Sequence, residues 1–209
     1  MDFCPYKGLL PYREQDAPYF FGRTTERRLI RDNLCASRIT LLYGPSGVGK
    51  SSVLGAGVAY DLSNDPDYLV IYFGTSGSWL NDPVASLNER VQAKLVATTG
   101  YCANGRNGKE KGLFGGLEAQ IASTNKTLLL ILDQFEEYFQ YHPNEEGPGT
   151  FAEEFPRLLR GERISVHLLL SIVKICSPSW IVSRSAFRTC LVIDFGSISS
   201  LGCKLLKLF

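Results

Sequence analysis

The stretch LLYGPSGVGKSSVL, Leu41 to Leu54, decides the reading of the chain. From Gly44 to Ser51 it satisfies the phosphate-cradle (P-loop, Walker A) pattern G-x-x-x-x-G-K-[ST] in full. Each residue type has a physical reason. The glycines let the backbone curl so that successive N–H groups point at phosphate oxygens. A helix opening near Lys50 adds its positive N-terminal end. Lys50 is expected to bridge the β- and γ-phosphates, and the Ser51 hydroxyl to ligate Mg²⁺. The cofactor-binding set is therefore Gly44, Pro45, Ser46, Gly47, Val48, Gly49, Lys50, Ser51 and Ser52, where Ser52 reads as a packing or capping residue with an α-phosphate contact as the alternative. A glycine-rich turn matching by chance is the competing reading. The flanks argue against it, because the apolar run RITLLYG before the motif reads as a strand and residues Lys50 to about Tyr60 suit a helix despite Gly55 and Gly57.

Further strands are expected at YLVIYF (Tyr68 to Phe73), TLLLILD and SVHLLLS, each apolar on both faces. Helices alternate with them. In TTERRLIRDNL, residues Leu29, Ile30 and Leu34 share a face, and Thr24 or Thr25 suits the N-cap. NDPVASLNERVQAKLV spaces Val84, Leu87, Val91 and Leu95 helically, and GLEAQIAS and FAEEFPRLLRG are shorter helical stretches. TTGYCANGRNGKEKGLFGG reads as a mobile surface loop. The pattern predicts an α/β fold, a three-layer P-loop NTPase sandwich with a mostly parallel central sheet, incomplete at the C-terminus. The expected organisation is an ordered lead-in over 1–22, a core over 23–172 and a divergent tail over 173–209.

Bulk properties narrow the function. A net charge of +1 implies no general attraction to nucleic acid or membrane surfaces. No apolar run approaches the roughly 20 residues of a membrane span, and MDFCPYKGLLPY lacks a secretory layout. A cytoplasmic chain is expected. The six cysteines never form C-x-x-C, and the two histidines define no zinc site. His167, inside an apolar strand, reads as a hydrogen-bonded core histidine, His142 as a surface one and Trp79 as a packing residue.

LLLILDQFEEYF places Asp133 where a long apolar strand meets solvent, the Walker B position. In a parallel sheet that strand end lies beside the P-loop, so Asp133 is expected to hold Mg²⁺ through water. Glu136 or Glu137 is expected to polarise the attacking water as a general base; a solvated helix start is the competing reading for the pair. The cofactors expected are ATP and Mg²⁺.

Four ordered stretches, CPYKGLLPYREQDAPYFFGRTTERRLI, LLYGPSGVGKSSVLGAGV, LLLILDQFEEYF and VHLLLSI, resemble the STAND class of P-loop NTPases, and within it the novel STAND type 1 group. The resemblance covers roughly residues 4–172. It implies an AAA-related switch that binds ATP, oligomerises when stimulated and resets by slow hydrolysis, with effector and sensor domains as partners in full-length relatives. It also places Phe21, Gly22 and Arg23 near the nucleotide base, core packing being the competing reading for Phe20 and Phe21. The chain departs from the family in carrying Thr24 directly after Gly-Arg, where the family has an acid; Glu26 keeps the later acid.

After LLLSI the family continues with an arginine, acids and a Leu/Lys-rich helix. Here Val173 opens a tail with one acid, Asp194, against five bases: Lys174, Arg184, Arg188, Lys204 and Lys207. Codons allowed for VKICSPSWIVSRSAFRTCL also spell REDLLAKLDRFKKRIPNLF when read one nucleotide out of register, which is what the resemblance leads one to expect. A single-base deletion near the Val173 codon accounts for it; a genuine short lobe with CLVIDF as a strand is the alternative. The chain as a whole is expected to be a nucleotide-binding switch module with weak ATPase capacity. A conventional P-loop kinase or ATPase, with NGRNGKEKG cast as a lid, and an inactive remnant are the alternatives.

Overall fold

The fold is described from a computed structural model, over residues 7–74, 77–100, 113, 118–160, 164–173, 191–194 and 206–207. The long loop read as mobile, its role as a lid and most of the tail lie outside the described residues, apart from Thr98 to Gly100, which end a helix, and Leu113, which is buried.

Chain order alternates strands and helices: α1 (Thr24–Ala36), β1 (Ile39–Gly44), α2 (Lys50–Ser52), a π-helical segment (Val53–Ala59), α3 (Tyr60–Ser63), β2 (Tyr68–Phe73), α4 (Pro83–Thr99), α5 (Glu118–Ser123), β3 (Thr127–Leu132), α6 (Glu136–Tyr141), α7 (Phe151–Arg160), β4 (Val166–Val173), β5 (Leu191–Asp194) and β6 (Leu206–Lys207). The sheet order is β2-β3-β4-β1-β5-β6. The four strands expected from the sequence are mutually parallel, β5 pairs parallel with β1, and the two-residue β6 is antiparallel to β5. β5 takes up four residues of CLVIDF.

Period-two alternation divides the core into two. Ile39, Leu41, Leu69, Ile71, Phe73, Leu128, Leu130, Leu132, Leu168 and Leu170 face a cluster shared with α4, Trp79, Phe135, Tyr138, Phe151 and Phe155. Leu42, Val70, Leu129, Ile131 and Leu169 face the other way, onto Ile30 and Leu34 of α1 and the helical run after the P-loop. Both sheet faces are thus covered, as strands apolar on both faces require. The same parity places Tyr72, Asp133 and Ser171 in one row at the C-terminal strand ends, on the α1 and α2 side.

Several local expectations change on this scaffold. The helix after the P-loop runs on to Ser63 and is wound as a π-helix over seven buried residues, Val53 to Ala59. Gly55 lies within it because the lead-in crosses there: a Cβ would meet the Tyr12 carbonyl oxygen at 2.9 Å. Neither Thr24 nor Thr25 caps α1. Arg23 takes the N-cap position at φ 55°, and its guanidinium bonds Glu26 at 2.9 Å. His142 is half-buried rather than fully at the surface: its Nε2 donates to the Trp79 carbonyl at 2.7 Å and its ring stacks on Tyr138. His167 does donate through Nδ1 to the Leu34 carbonyl, at 2.9 Å.

α4 begins on a side-chain cap that the sequence pattern did not single out. Asp82 Oδ1 accepts from the N–H groups of Val84 at 2.9 Å and Ala85 at 3.1 Å, with Pro83 opening the helix. Asp82→Ala should therefore cost about 1 kcal/mol, read from urea unfolding; an unchanged midpoint contradicts the cap.

Candidate functional site

The loop between β1 and α2 closes on its own lysine. Lys50 is buried, and its Nζ donates to the carbonyls of Gly44 and Pro45, each at 2.9 Å. Gly47 and Gly49 hold φ values of 76° and 90° that side-chain-bearing residues rarely adopt. Burial lowers the Lys50 pKa, against the opposing pull of the Glu136 and Asp133 carboxylates. Two acids of the site are thus close enough to act on the loop's ammonium.

Asp133 follows directly on β3 and is almost fully buried, at 1% exposure. Four bonds pin it. Its N–H donates to the Phe73 carbonyl (2.7 Å) and its carbonyl accepts from the Trp79 indole (2.9 Å). Its Oδ1 accepts from the Gln134 N–H (3.0 Å) and its Oδ2 from the Tyr72 hydroxyl (2.6 Å). Trp79 is held in turn by edge contacts with Phe73 and Phe135, at centroid distances of 4.7 and 5.3 Å. The packing role expected of Trp79 thus reaches the site: the indole fixes the backbone of the acidic strand end.

Tyr72 joins the two halves. Burial first, then the Asp133 charge and hydrogen bond, push the Tyr72 pKa far above its ordinary value, so the phenol stays protonated and donates. The Ser51 side chain also interacts with this hydroxyl, in the sense that favours the phenolate. The order Ser51, Tyr72, Asp133 is therefore a continuous chain across the strand ends.

These groups line a cavity of about 1100 Å³ running from Ser46, Gly47, Lys50 and Ser51 past Asp133 and Glu136. Its outer walls are the lead-in from Gly8 to Gln15 and the α4 face carrying Arg90 and Lys94. The two glutamates differ. Glu136 lines the cavity, accepts the Val173 N–H through Oε2 at 3.2 Å and has its pKa raised, mainly by burial. Glu137 does not line it, and its pKa is raised by burial and the Asp133 charge.

Not every sequence-derived residue faces the cavity. Gly44 and Pro45 contribute the carbonyls that hold Lys50, and Val48 packs against the α1-side core. Ser52 lines the cavity and accepts the Tyr12 N–H at 3.2 Å, so it ties down the lead-in. Phe21, Gly22 and Arg23 lie outside it. Phe21 is 82% exposed, and Arg23 reaches the Val48 carbonyl at 3.5 Å on the outer side of the loop. Sequence reasoning missed Tyr72, Gln134, Arg90 and Ser171. Ser171 is fully buried, its hydroxyl has no partner among the described residues, and its carbonyl accepts the Phe135 N–H at 2.9 Å.

The family model of novel STAND NTPase 1 matches residues 5–173. The chain belongs to this family. The match to novel STAND NTPase 1 takes in the lead-in, the P-loop, the acidic strand end and β4, and it ends where the composition changes. No curated protein matches the chain. Among solved structures, the Aeropyrum pernix ORC2 protein in its ADPNP–ADP complexes aligns at 16% identity and a TM-score of 0.56, covering 91% of this chain and 50% of that one. The ADP form of the same protein aligns at 17% identity and a TM-score of 0.51, covering 81% of this chain and 46% of that one. This chain therefore spans about half the length of the ORC2 chains it matches. At this identity the likeness shows the fold, and with the family it gives a P-loop NTPase-like nucleotide-binding domain.

P-loop NTPases in general bind their nucleotide with Mg²⁺. The residues here fit that ion: the Ser51 hydroxyl and the Asp133 carboxylate are linked through a single phenolic oxygen, at the end of the loop carrying Lys50.

Proposed function

We propose that the chain is the ATP- and Mg²⁺-binding switch module of a STAND-type signalling NTPase, with slow hydrolysis. The observation that carries this reading is the Ser51–Tyr72–Asp133 link, which brings loop and acidic strand end to one point beside Lys50 and Glu136. Lys50 neutralises β- and γ-phosphate charge. Ser51 and Asp133 hold the ion, which supplies further charge neutralisation on the triphosphate when bound. Glu136, in the cavity and with its pKa raised, is the residue we assign to take the proton from water; Glu137 lies outside the cavity. Phe21, Gly22 and Arg23 flank the base, a role supported by the Arg23 contact to the back of the loop.

Homo-oligomerisation, effector and sensor partners and a cytoplasmic location belong to the same proposal. Among the described residues, no helix is long and apolar enough to cross a membrane. The division into lead-in, core and tail from 173 onward is also proposed, supported by the coincidence of the composition change with the end of the family match. Sequencing the gene across the Val173 codon tests the single-base deletion: the other register must spell REDLLAKLDRFKKRIPNLF.

The reading is tested by turnover. Purified protein should hydrolyse ATP far more slowly than the about 1–100 s⁻¹ of kinases. Asp133→Asn should spare binding and remove Mg²⁺-dependent turnover. Glu136→Gln should reduce turnover by about 10²-fold or more, and Glu137→Gln should leave it within about twofold of the parent. Phosphate transfer to a small metabolite at kinase-like rates overturns the reading, as does the opposite ranking of the two glutamates.

A further inference from the structure

The Tyr72 hydroxyl occupies an unusual place for a strand residue. It lies between the two groups assigned to the cation, with Oη 2.6 Å from Asp133 Oδ2 and hydrogen-bonded to Ser51. The other carboxylate oxygen of Asp133 is taken by the Gln134 N–H, so both oxygens are satisfied without a metal. A divalent cation held at Asp133 Oδ2 draws on the same carboxylate charge that this hydroxyl engages. The backbone beneath the ring is fixed, since the Tyr72 carbonyl accepts from Arg90 Nη1 at 3.0 Å, and the Arg90 guanidinium also reaches Ser78 Oγ at 3.1 Å. The ring itself borders the cavity.

We propose that Tyr72 is a positioning residue whose hydroxyl closes the cation site of the metal-free protein, and that it must release Asp133 before a divalent cation can bind. Tyr72 thereby sets the magnesium requirement for nucleotide loading. This deepens the proposed function and rests on its assignment of Ser51 and Asp133 to the cation. The thermodynamic argument is one of differential stabilisation: a bond present only in the metal-free state opposes the metal-bound one. Removing it leaves a buried carboxylate oxygen unsatisfied until a cation arrives.

The test is ATP binding by calorimetry across a series of Mg²⁺ concentrations, for the whole chain and for Tyr72→Phe. The Mg²⁺ concentration giving half-maximal tightening should fall on the order of tenfold in Tyr72→Phe, as expected for losing a hydrogen bond to a charged group, while ATP affinity without Mg²⁺ stays as in the parent. A purely structural tyrosine predicts reduced stability with the Mg²⁺ dependence unmoved, and that result overturns the proposal, as does a higher Mg²⁺ requirement. Should Tyr72→Phe show no cooperative unfolding, 3-fluorotyrosine placed at position 72 serves instead. Its more acidic hydroxyl is a stronger donor and should raise the Mg²⁺ requirement; an unchanged requirement overturns the proposal. A parent chain whose ATP binding ignores Mg²⁺ removes the cation assignment itself, whereas a responsive parent with an unresponsive Tyr72→Phe removes only the role given to Tyr72.

Discussion

Lys50→Ala should abolish ATP binding without unfolding the protein. The ammonium is buried and held at the centre of the loop by two main-chain carbonyls, within reach of the Glu136 and Asp133 charges. Hydrogen bonds to charged groups contribute about 1.5–3 kcal/mol each, so losing a lysine that meets two phosphates should weaken binding by a factor on the order of 10²–10⁴. Stability behaves differently. Burial disfavours the charged lysine, and its removal frees the fold of that cost while giving up one buried bond to the Gly44 carbonyl and one to that of the exposed Pro45. The urea midpoint should therefore stay close to that of the parent. Calorimetry and unfolding on the same preparation separate the two effects: retained binding contradicts the phosphate role, and loss of the folding transition contradicts the idea that the lysine serves the ligand rather than the fold.

Gly74→Ala should do the reverse and act on the fold first. Gly74 sits at φ 130°, and a Cβ there would stand 2.2 Å from the Asp133 carbonyl oxygen and 2.7 Å from its carbon. The obstacle is backbone, and it cannot retreat. Asp133 is tied to Phe73 through its N–H, to Trp79 through its carbonyl and to Tyr72 and Gln134 through its carboxylate. Either the ends of β2 and β3 part or the acidic strand end moves, and both disturb the site. A loss of more than about 4 kcal/mol is expected, in the range reserved for backbone clashes and broken buried networks. Denaturant unfolding measures it. A loss below about 1 kcal/mol, within the range of an ordinary substitution, means that the strand ends are looser than this geometry requires. Gly55→Ala offers a milder contrast, because its Cβ would meet the Tyr12 carbonyl oxygen at 2.9 Å, a less severe approach than at Gly74.

The strands and the loop were legible because their signals are local. TLLLILD is apolar on both faces and can only be a buried strand, and its terminal acid must fall at a strand end whatever the tertiary fold. The P-loop pattern likewise fixes residue types at fixed spacing. What escaped depends on contacts between distant segments. Tyr72 reads as one more aromatic strand residue, and only the pairing of β2 with β3 places its hydroxyl on Asp133, sixty-one residues away. Glu136 and Glu137 are one helical step apart; sequence alone leaves the choice open, and of the two only Glu136 lines the cavity. His142 looked exposed because it follows an acidic, polar run, but the Trp79 carbonyl draws it inward. Thr24 and Thr25 are good caps by type; the Arg23–Glu26 pair fixes a left-handed N-cap instead.

The central claim is that Ser51 and Asp133 converge on one cation held with a nucleotide on the loop. ATP titrations with and without saturating Mg²⁺, on the parent chain and on Asp133→Asn, test it most directly. The account predicts that Mg²⁺ tightens ATP binding in the parent and that Asp133→Asn loses this tightening while keeping its Mg²⁺-free affinity. Equal tightening in both proteins would contradict it.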